Sequence, residues 1–284
     1  MHPTLFFPLI HTYGLMLAVG FYAAWWLGAR QGKAEGLDTD LVGNLVLIAI
    51  IAGIVGARLL YVVLNFDPRE PLWTVIKVWE GGLVFYGGLI AAAVAVVIYL
   101  KWRRVPLWRV ADVTAPAIAI GQAFGRIGCF LNGCCFGGPA TAGFPLAVRF
   151  PGEIGPDGKP LGSPAFGDQF YRKWLDADWT ASLSVHPTQL YDAVFLFLIA
   201  GILVAAMPRR RRYGEVFGLM AILNAASRLG TELVRRDEGA ALLGLTAGQI
   251  GAIVVLLAGL AIFLWARTRG EPVAGIPAMD EKCA

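Results

Sequence analysis

Apolar stretches of about 20 residues alternate with short polar segments along the whole chain. They run Leu9–Leu27, Leu41–Leu64, Leu83–Leu100, Val113–Leu131, Leu190–Met207, Val216–Val234 and Leu243–Trp265. A bilayer's hydrocarbon core is about 30 Å thick, and a helix crosses it in about 20 residues. The pattern therefore predicts an all-α polytopic membrane protein with about seven transmembrane helices. Cys134 to Val185 is the only long polar segment, and its Pro151, Gly152, Gly155, Pro156, Asp157 and Gly158 punctuate turns and strands. It predicts a small extracytoplasmic head between helices 4 and 5, with short strands around LAVRFP. The expected division is 1–134 for helices 1 to 4, 135–187 for the head, 188–267 for helices 5 to 7, and 268–284 for a flexible cytoplasmic tail, all one functional domain. No internal repeat is evident, which weighs against a transporter built on inverted repeats.

Composition supports lipid as the solvent. Of 284 residues 57% are hydrophobic and 15% charged, and the mean hydropathy is +0.63. Soluble domains are about a quarter charged. The N-terminal MHPTLFFPLI has no basic region, and the apolar stretch after it is long enough to span, so a cleaved signal is not expected. The placement of charge predicts topology. Arg30, Lys33, Lys101, Arg103, Arg104, Arg109, Arg209 to Arg212, Arg267, Arg269 and Lys282 fall on one side, thirteen in all. Arg69, Lys77, Arg149, Lys159, Arg172, Lys173, Arg235 and Arg236 fall on the other, eight in all, four of them in the head. The richer side is cytoplasmic, so the N-terminus and head face outward and the C-terminus inward. The RRRR run beside a span is this topology signal, and no nucleic-acid partner is expected.

Three basic residues remain, Arg58, Arg126 and Arg228, all within or at the ends of apolar spans. An arginine there costs upward of about 3 kcal/mol unless it is paired or reaches water. Pairing with Glu80, Glu232 or Asp112, or snorkelling to the interface, would explain any one of them equally well. Three together, beside glycines that allow close backbone approach, favour an anion site, because the planar guanidinium stays charged and forks onto phosphate. Arg228 and Glu232 are four residues apart and Arg235 three further on, so the three share a helix face. An ion pair between Arg228 and Glu232 is expected, and it would hold the arginine in place for a ligand.

The segment GRIGCFLNGCCFGG sets Arg126, Asn132 and three cysteines near one bilayer face. Its glycines, Gly137 among them, would admit a headgroup to the backbone, or simply pack helices closely. The spacing of Cys129, Cys134 and Cys135, C-x4-C-C, matches no standard zinc pattern, and no histidine is near in sequence. No metal and no cofactor are expected. Buried thiols commonly act as small apolar groups. A redox pair facing an oxidising compartment is the sharper alternative. Of the histidines, His2 is terminal, His11 opens the first span, and His186 begins HPTQLYD at the entrance of the fifth. His186 is the best-placed titratable base near the outer interface.

At these motifs the sequence resembles the bacterial phosphatidylglycerol–prolipoprotein diacylglyceryl transferase family. HTYGLMLAVGF resembles its first-helix Y-G-L-M motif, GARLLYV its G-R-x-x-Y motif, and WEGGLVFYGGLI the segment that usually ends in H-G-G. GRIGCFLNG resembles the signature G-R-x-G-N-F-x-N, and HPTQLYD the motif H-P-S/T-Q-L-Y-E. The R-x3-E-x2-R pattern at Arg228, Glu232 and Arg235 resembles a sixth-helix motif, and LTAGQI the start of the last helix. The resemblance also marks departures. Cys129 stands where the family carries Asn, Cys134 where it carries Glu, and Tyr86 where it carries the H-G-G histidine often proposed as catalytic.

The resemblance implies transfer of an sn-1,2-diacylglyceryl group from phosphatidylglycerol to the lipobox cysteine of a prolipoprotein signal peptide. A thioether forms and glycerol 1-phosphate leaves. It implies a bacterial inner (plasma) membrane location. Arg126 and Arg228 are expected on the leaving phosphate, with Arg58 behind them, and Tyr13, Asn132, Gly137 and Arg235 on the substrates. The attacking thiol must lose a proton. His186 or Glu232 is expected to take it, with Tyr86 as a hydrogen-bond donor. Two other readings stand beside this one. A non-catalytic phospholipid-binding paralogue would keep the arginines and lack the base. A membrane thiol oxidoreductase would use Cys129, Cys134 and Cys135.

Overall fold

The computed structural model describes residues 12–65, 73, 76–78, 81–141, 143–156, 158–176, 178–235 and 244–273. Glu80, His2, His11, Asp157, Arg69, Arg236, Leu243, Lys282 and Cys283 lie outside the described residues. The elements in chain order are α1 (Thr12–Ala34), α2 (Thr39–Leu64), α3 (Phe85–Trp102), α4 (Leu107–Asn132), β1 (Gly152–Ile154), β2 (Pro160–Gly162), α5 (Pro164–Tyr171), α6 (Thr188–Ala206), α7 (Glu215–Glu232) and α8 (Ala247–Arg269). Each of the seven expected apolar stretches holds one long helix, but Leu83 and Val84 precede α3, Leu233 and Val234 follow α7, and Gly244 to Thr246 precede α8. Of these helices, α2, α3, α6 with its short 3-10 extension, and α8 are long and apolar enough to cross a membrane. The other three long helices, α1, α4 and α7, are the ones that carry Tyr13, Arg126 and Arg228. Their polar residues lower their hydropathy.

The chain divides into two compact units, Trp25–Val113 and a second made of residues 1–24 with 114–284. In the first unit α2 and α3 pack backbone to backbone. A Cβ on Gly56 would stand 2.2 Å from the Ala91 Cβ, and one on Gly87 would stand 2.5 Å from the Gly56 carbonyl oxygen. Small residues let helices approach this closely where hydrophobic exclusion from water gives no drive. Leu41, Leu45, Leu100 and Val110 close the unit at one end. Leu47, Ile51, Ile54, Leu59, Ile90 and Ile98 stay exposed, as lipid-facing surfaces do.

In the second unit α1 and α4 approach through Gly20, whose Cβ would meet the Gly121 carbonyl oxygen at 3.0 Å, and through Gly128, which faces Tyr13 and Met16. Helices α7 and α8 pack at Gly218 against Phe263 and at Gly259 against Ala221. Asn224 of α7 donates to Gln122 Oε1 of α4 at 2.7 Å, a polar tie between helices.

The head is folded around Phe136, Phe150, Ala165 and Val185. Its two strands pair antiparallel with Gly152 opposite Gly162. The expected strands around LAVRFP are displaced: Val148 and Pro151 form only isolated bridges, to Val185 and Ala181. Regular pairing starts at Gly152, where a Cβ would run into Phe166 at 2.2 Å. The expected flexible tail is partly docked. Tyr213 donates its backbone N–H to the Glu271 carbonyl at 3.0 Å, and Val273 donates to that of Arg211 at 2.9 Å.

Overpacking the α2–α3 contact should be costly. Gly87→Val is expected to lower stability by roughly 1–3 kcal/mol. Gly53→Ala, whose Cβ would find its nearest neighbour 3.9 Å away, should fall within about 0.5 kcal/mol of the parent. Thermal unfolding of the detergent-solubilised protein checks both.

Candidate active site

The second unit gathers most of the expected residues. Near the end of α4, Arg126 Nε lies 3.2 Å from Asp192 Oδ2 of α6. Asp192 is the acid of HPTQLYD, and sequence reasoning did not offer it as a partner. On α7, Arg228 Nη2 lies 3.0 Å from Glu232 Oε2, the expected i,i+4 pair. In both pairs the carboxylate is the buried partner: side-chain exposure is 28% for Arg126 against 7% for Asp192, and 24% for Arg228 against 0% for Glu232. The Nη1 of Arg228 is buried and has no hydrogen-bond partner among the described residues. A buried donor without a partner costs about 1–3 kcal/mol, so this edge of the guanidinium is set for an acceptor.

Glu232 is held from a second side. The Thr246 hydroxyl donates to Glu232 Oε1 at 2.9 Å and accepts from the Gln249 N–H at 3.1 Å. Gln249 Oε1 accepts in turn from the Thr246 N–H at 3.1 Å. This is a capping box at the start of α8. A Cβ on Gly248 would stand 2.7 Å from Glu232 Oε1. The LTAGQI motif therefore caps its own helix, anchors the carboxylate and leaves room for it. Sequence reasoning missed Thr246 and Gly248 as supports of Glu232, although Thr three residues before Gln is a legible cap signal.

Three thiols converge where α4 ends. The Sγ atoms of Cys129, Cys134 and Cys135 all lie within 4.8 Å of one another, and the Cys134 thiol donates to the Cys129 carbonyl oxygen at 3.7 Å. Positive φ at Gly133 (74°) and Cys135 (58°) turns the vicinal pair back toward α4. Gln189 Nε2 and Thr188 Oγ1 of α6 donate to the carbonyls of Cys134 and Cys135 at 2.7 and 3.1 Å, fixing this turn. Hydrogen bonds from the Cys129 and Cys134 thiols draw the Cys135 thiol below its ordinary range against the effect of burial, with Arg126 and Arg235 adding positive potential. Tyr13 lies within electrostatic reach of the three thiols and of Arg126. Asn132 lies close to Cys134 and borders a cavity of about 390 Å³ lined also by Phe150, Glu153, Leu161 and Ser163.

The remaining candidates fall less centrally. Gly137 is buried, with its Cα against Thr188 and His186, so it sets the approach of the head to α6. His186 stacks on Phe144, ring centroids 4.6 Å apart, with Nδ1 3.5 Å from the Tyr191 hydroxyl. Arg58 and Tyr86 belong to the other unit. Arg58 donates to the Gly81 carbonyl at 2.8 Å and lies over the Tyr61 ring, which pins the loop before α3. Tyr86 is 60% exposed on the first turn of α3.

Long apolar helices and small-residue packing define a multi-pass membrane protein, with two arginines paired to buried carboxylates. The family model described as prolipoprotein diacylglyceryl transferase matches residues 4–265, and the chain belongs to that family. Relatives named phosphatidylglycerol–prolipoprotein diacylglyceryl transferase match it almost end to end. One from Clostridium tetani is 31% identical, over 93% of this chain and 97% of its own. One from Symbiobacterium thermophilum is 33% identical over 90% and 88%. One from Shigella boydii is 32% identical over 92% and 90%.

The Glu232 network predicts a coupled response. Glu232→Ala should destabilise the protein by roughly 3 kcal/mol, because it strands a half-buried guanidinium. Arg228→Ala and Glu232→Ala should combine less than additively, by roughly 1–3 kcal/mol. Gly248→Val should mimic the loss of Glu232. Unfolding in detergent measures all four variants.

Proposed function

We propose that Arg126 and Arg228 bind the phosphate of phosphatidylglycerol and stabilise it as it leaves. The chain is a transferase of lipoprotein biosynthesis. It moves the sn-1,2-diacylglyceryl group of phosphatidylglycerol onto the thiol of a prolipoprotein, forming a thioether and releasing glycerol 1-phosphate. The observation that carries the role of the arginines is the buried, unpartnered Nη1 of Arg228, on a side chain already oriented by Glu232. The bound phosphodiester carries one negative charge, and the departing monoester gains a second. Positive groups placed beforehand stabilise the transition state more than the ground state, which accelerates the step.

Tyr13, Asn132 and Arg235 border this centre and make the substrate contacts in our reading. Glu232 is committed to Arg228 and Thr246, so it serves as a positioning residue, and His186 remains the side-chain base. Arg58, with its hydrogen bonds to the Gly81 and Gly82 carbonyls, orders the loop that leads to Tyr86. We place all seven long helices across the inner membrane, with the N-terminus and the 135–187 head on the periplasmic side. The distribution of basic residues supports this orientation. The lipobox segment of a prolipoprotein signal peptide then reaches the site from the same side.

The test is turnover in liposomes with phosphatidylglycerol and a lipobox peptide, read by mass detection of the thioether and of glycerol phosphate. Arg126→Ala and Arg228→Ala should each lower turnover about 100-fold or more, and His186→Gln should lower it if the imidazole is the base. Full activity of either arginine variant would remove that residue from the site. Phosphatidylglycerol binding without any product from the parent protein would instead assign the fold to lipid binding.

A further inference from the structure

The thiol cluster is unused by the proposal so far. A reactive or structural thiol needs neither two neighbouring thiols nor a strained backbone. Here three converge, each half-buried, and Cys135 takes a left-handed conformation, φ 58°, that few residues other than glycine adopt. Backbone strain of this kind persists where the surroundings impose it, and it collects at functional sites. Gln189, fully buried, spends its amide on the Cys134 carbonyl. Thr188 and Gln189 of α6 thus hold the turn that brings the vicinal thiols back toward Cys129.

We propose that Cys129, Cys134 and Cys135 form a three-thiolate site for a thiophilic divalent cation of the zinc class, with a fourth position left for the acceptor thiol. Zinc–sulfur bonds are about 2.3 Å, so thiolates sharing a tetrahedral ion stand about 3.8 Å apart. Sulfurs already within 4.8 Å of one another reach that separation by small rotamer adjustments. A structural zinc site takes four protein ligands, whereas three with an open position is the catalytic pattern. Three thiolates around a divalent ion leave a net negative charge, and Arg126 and Arg235 supply positive potential at Cys135. The C-x4-C-C spacing hides the site from sequence rules, because they assume no left-handed turn between the ligands.

The role of the fourth position rests on the transferase reading. A thiol bound to such an ion is deprotonated outright. The acceptor S–H loses its proton to water as the S–metal bond forms. The thiolate then attacks the terminal glyceryl carbon of the lipid. The C–S bond forms, the C–O bond to phosphate breaks with its electron pair on oxygen, and glycerol 1-phosphate leaves. No electron transfer is involved. His186, packed at a tilt against Phe144, would remain the base that takes up the proton lost by the acceptor thiol.

The experiment uses the full chain in detergent, reduced anaerobically and checked by alkylation for its four thiols. Cobalt(II) is the probe, read by its thiolate charge-transfer band and the intense visible bands of a tetrahedral ion. One equivalent should bind. Cys129→Ser, Cys134→Ser and Cys135→Ser should each abolish the bands, and Cys283→Ser should leave them unchanged. A lipobox peptide should shift the visible bands, and its Cys→Ser analogue should not. Zinc added back to chelator-treated protein should restore turnover without changing phosphatidylglycerol affinity. Absence of the bands in the reduced parent overturns the site, as does a native disulfide within the cluster with no metal retained. Full turnover by metal-free protein overturns the role of the fourth position and leaves the transferase reading standing. No turnover with metal present, alongside a normal cobalt spectrum, overturns the transferase reading and leaves the site standing.

Discussion

Arg126 and Arg228 are each held by a carboxylate buried more deeply than the guanidinium. A guanidinium among apolar helices is tolerated only if the protein supplies the charge that water would have screened. Asp192 and Glu232 supply it from the inner side, at 7% and 0% exposure. Had the carboxylates sat outside, the arginines would be fully paired and closed to a ligand. With the carboxylates inside, the fork is pinned at its base and one edge of Arg228 stays available. Much of the local architecture follows from this constraint. Gly248 is small because the Glu232 carboxylate occupies the space of its side chain, and Thr246 both caps α8 and ties down Oε1.

The same constraint explains why the helices differ in composition. Helices α2, α3, α6 and α8 carry lipid-facing apolar residues and meet the length and hydropathy of a span. Helices α1, α4 and α7 carry Tyr13, Arg126, Arg228 and Glu232, with Asp192 reaching them from the first turns of α6, and they associate through glycine contacts and through the Asn224–Gln122 hydrogen bond. Close approach at Gly20 and Gly128 leaves Tyr13 beside the end of α4. A bulkier residue there would move the aromatic ring away from Arg126 and the thiols without touching any charged group. Packing and site geometry are in this sense one problem.

The periodicity of apolar residues made the seven long helices legible, because lipid enforces length and hydrophobicity over each one. Their ends were less legible. Helix α1 runs to Ala34 and α4 begins at Leu107, since a helix continues into the polar layer with no change of hydrogen bonding. The Arg228–Glu232 pair was readable from its spacing on one helix. The partner of Arg126 was not, because Asp192 arrives on another helix and nothing local distinguishes it from other acids. The three cysteines were legible as a group, but the close approach of their sulfurs was not. Their convergence depends on two left-handed residues, Gly133 and Cys135, and a side chain such as cysteine does not advertise that conformation.

Charge balance links the two halves of the centre. Asp192 and Glu232 offset Arg126 and Arg228, and Arg235 adds positive potential at the thiols. Free thiolates beside the lipid phosphate are unfavourable, since like charges at short range disfavour each other. An acceptor thiolate generated there must be neutralised where it forms. A cation held by the cysteine cluster would do so locally, whereas a distant base would remove the proton and leave the charge uncompensated. Under the proposed roles, Arg126 and Arg228 would then act on the charge that grows on the leaving phosphate, where preplaced positive groups affect the rate most.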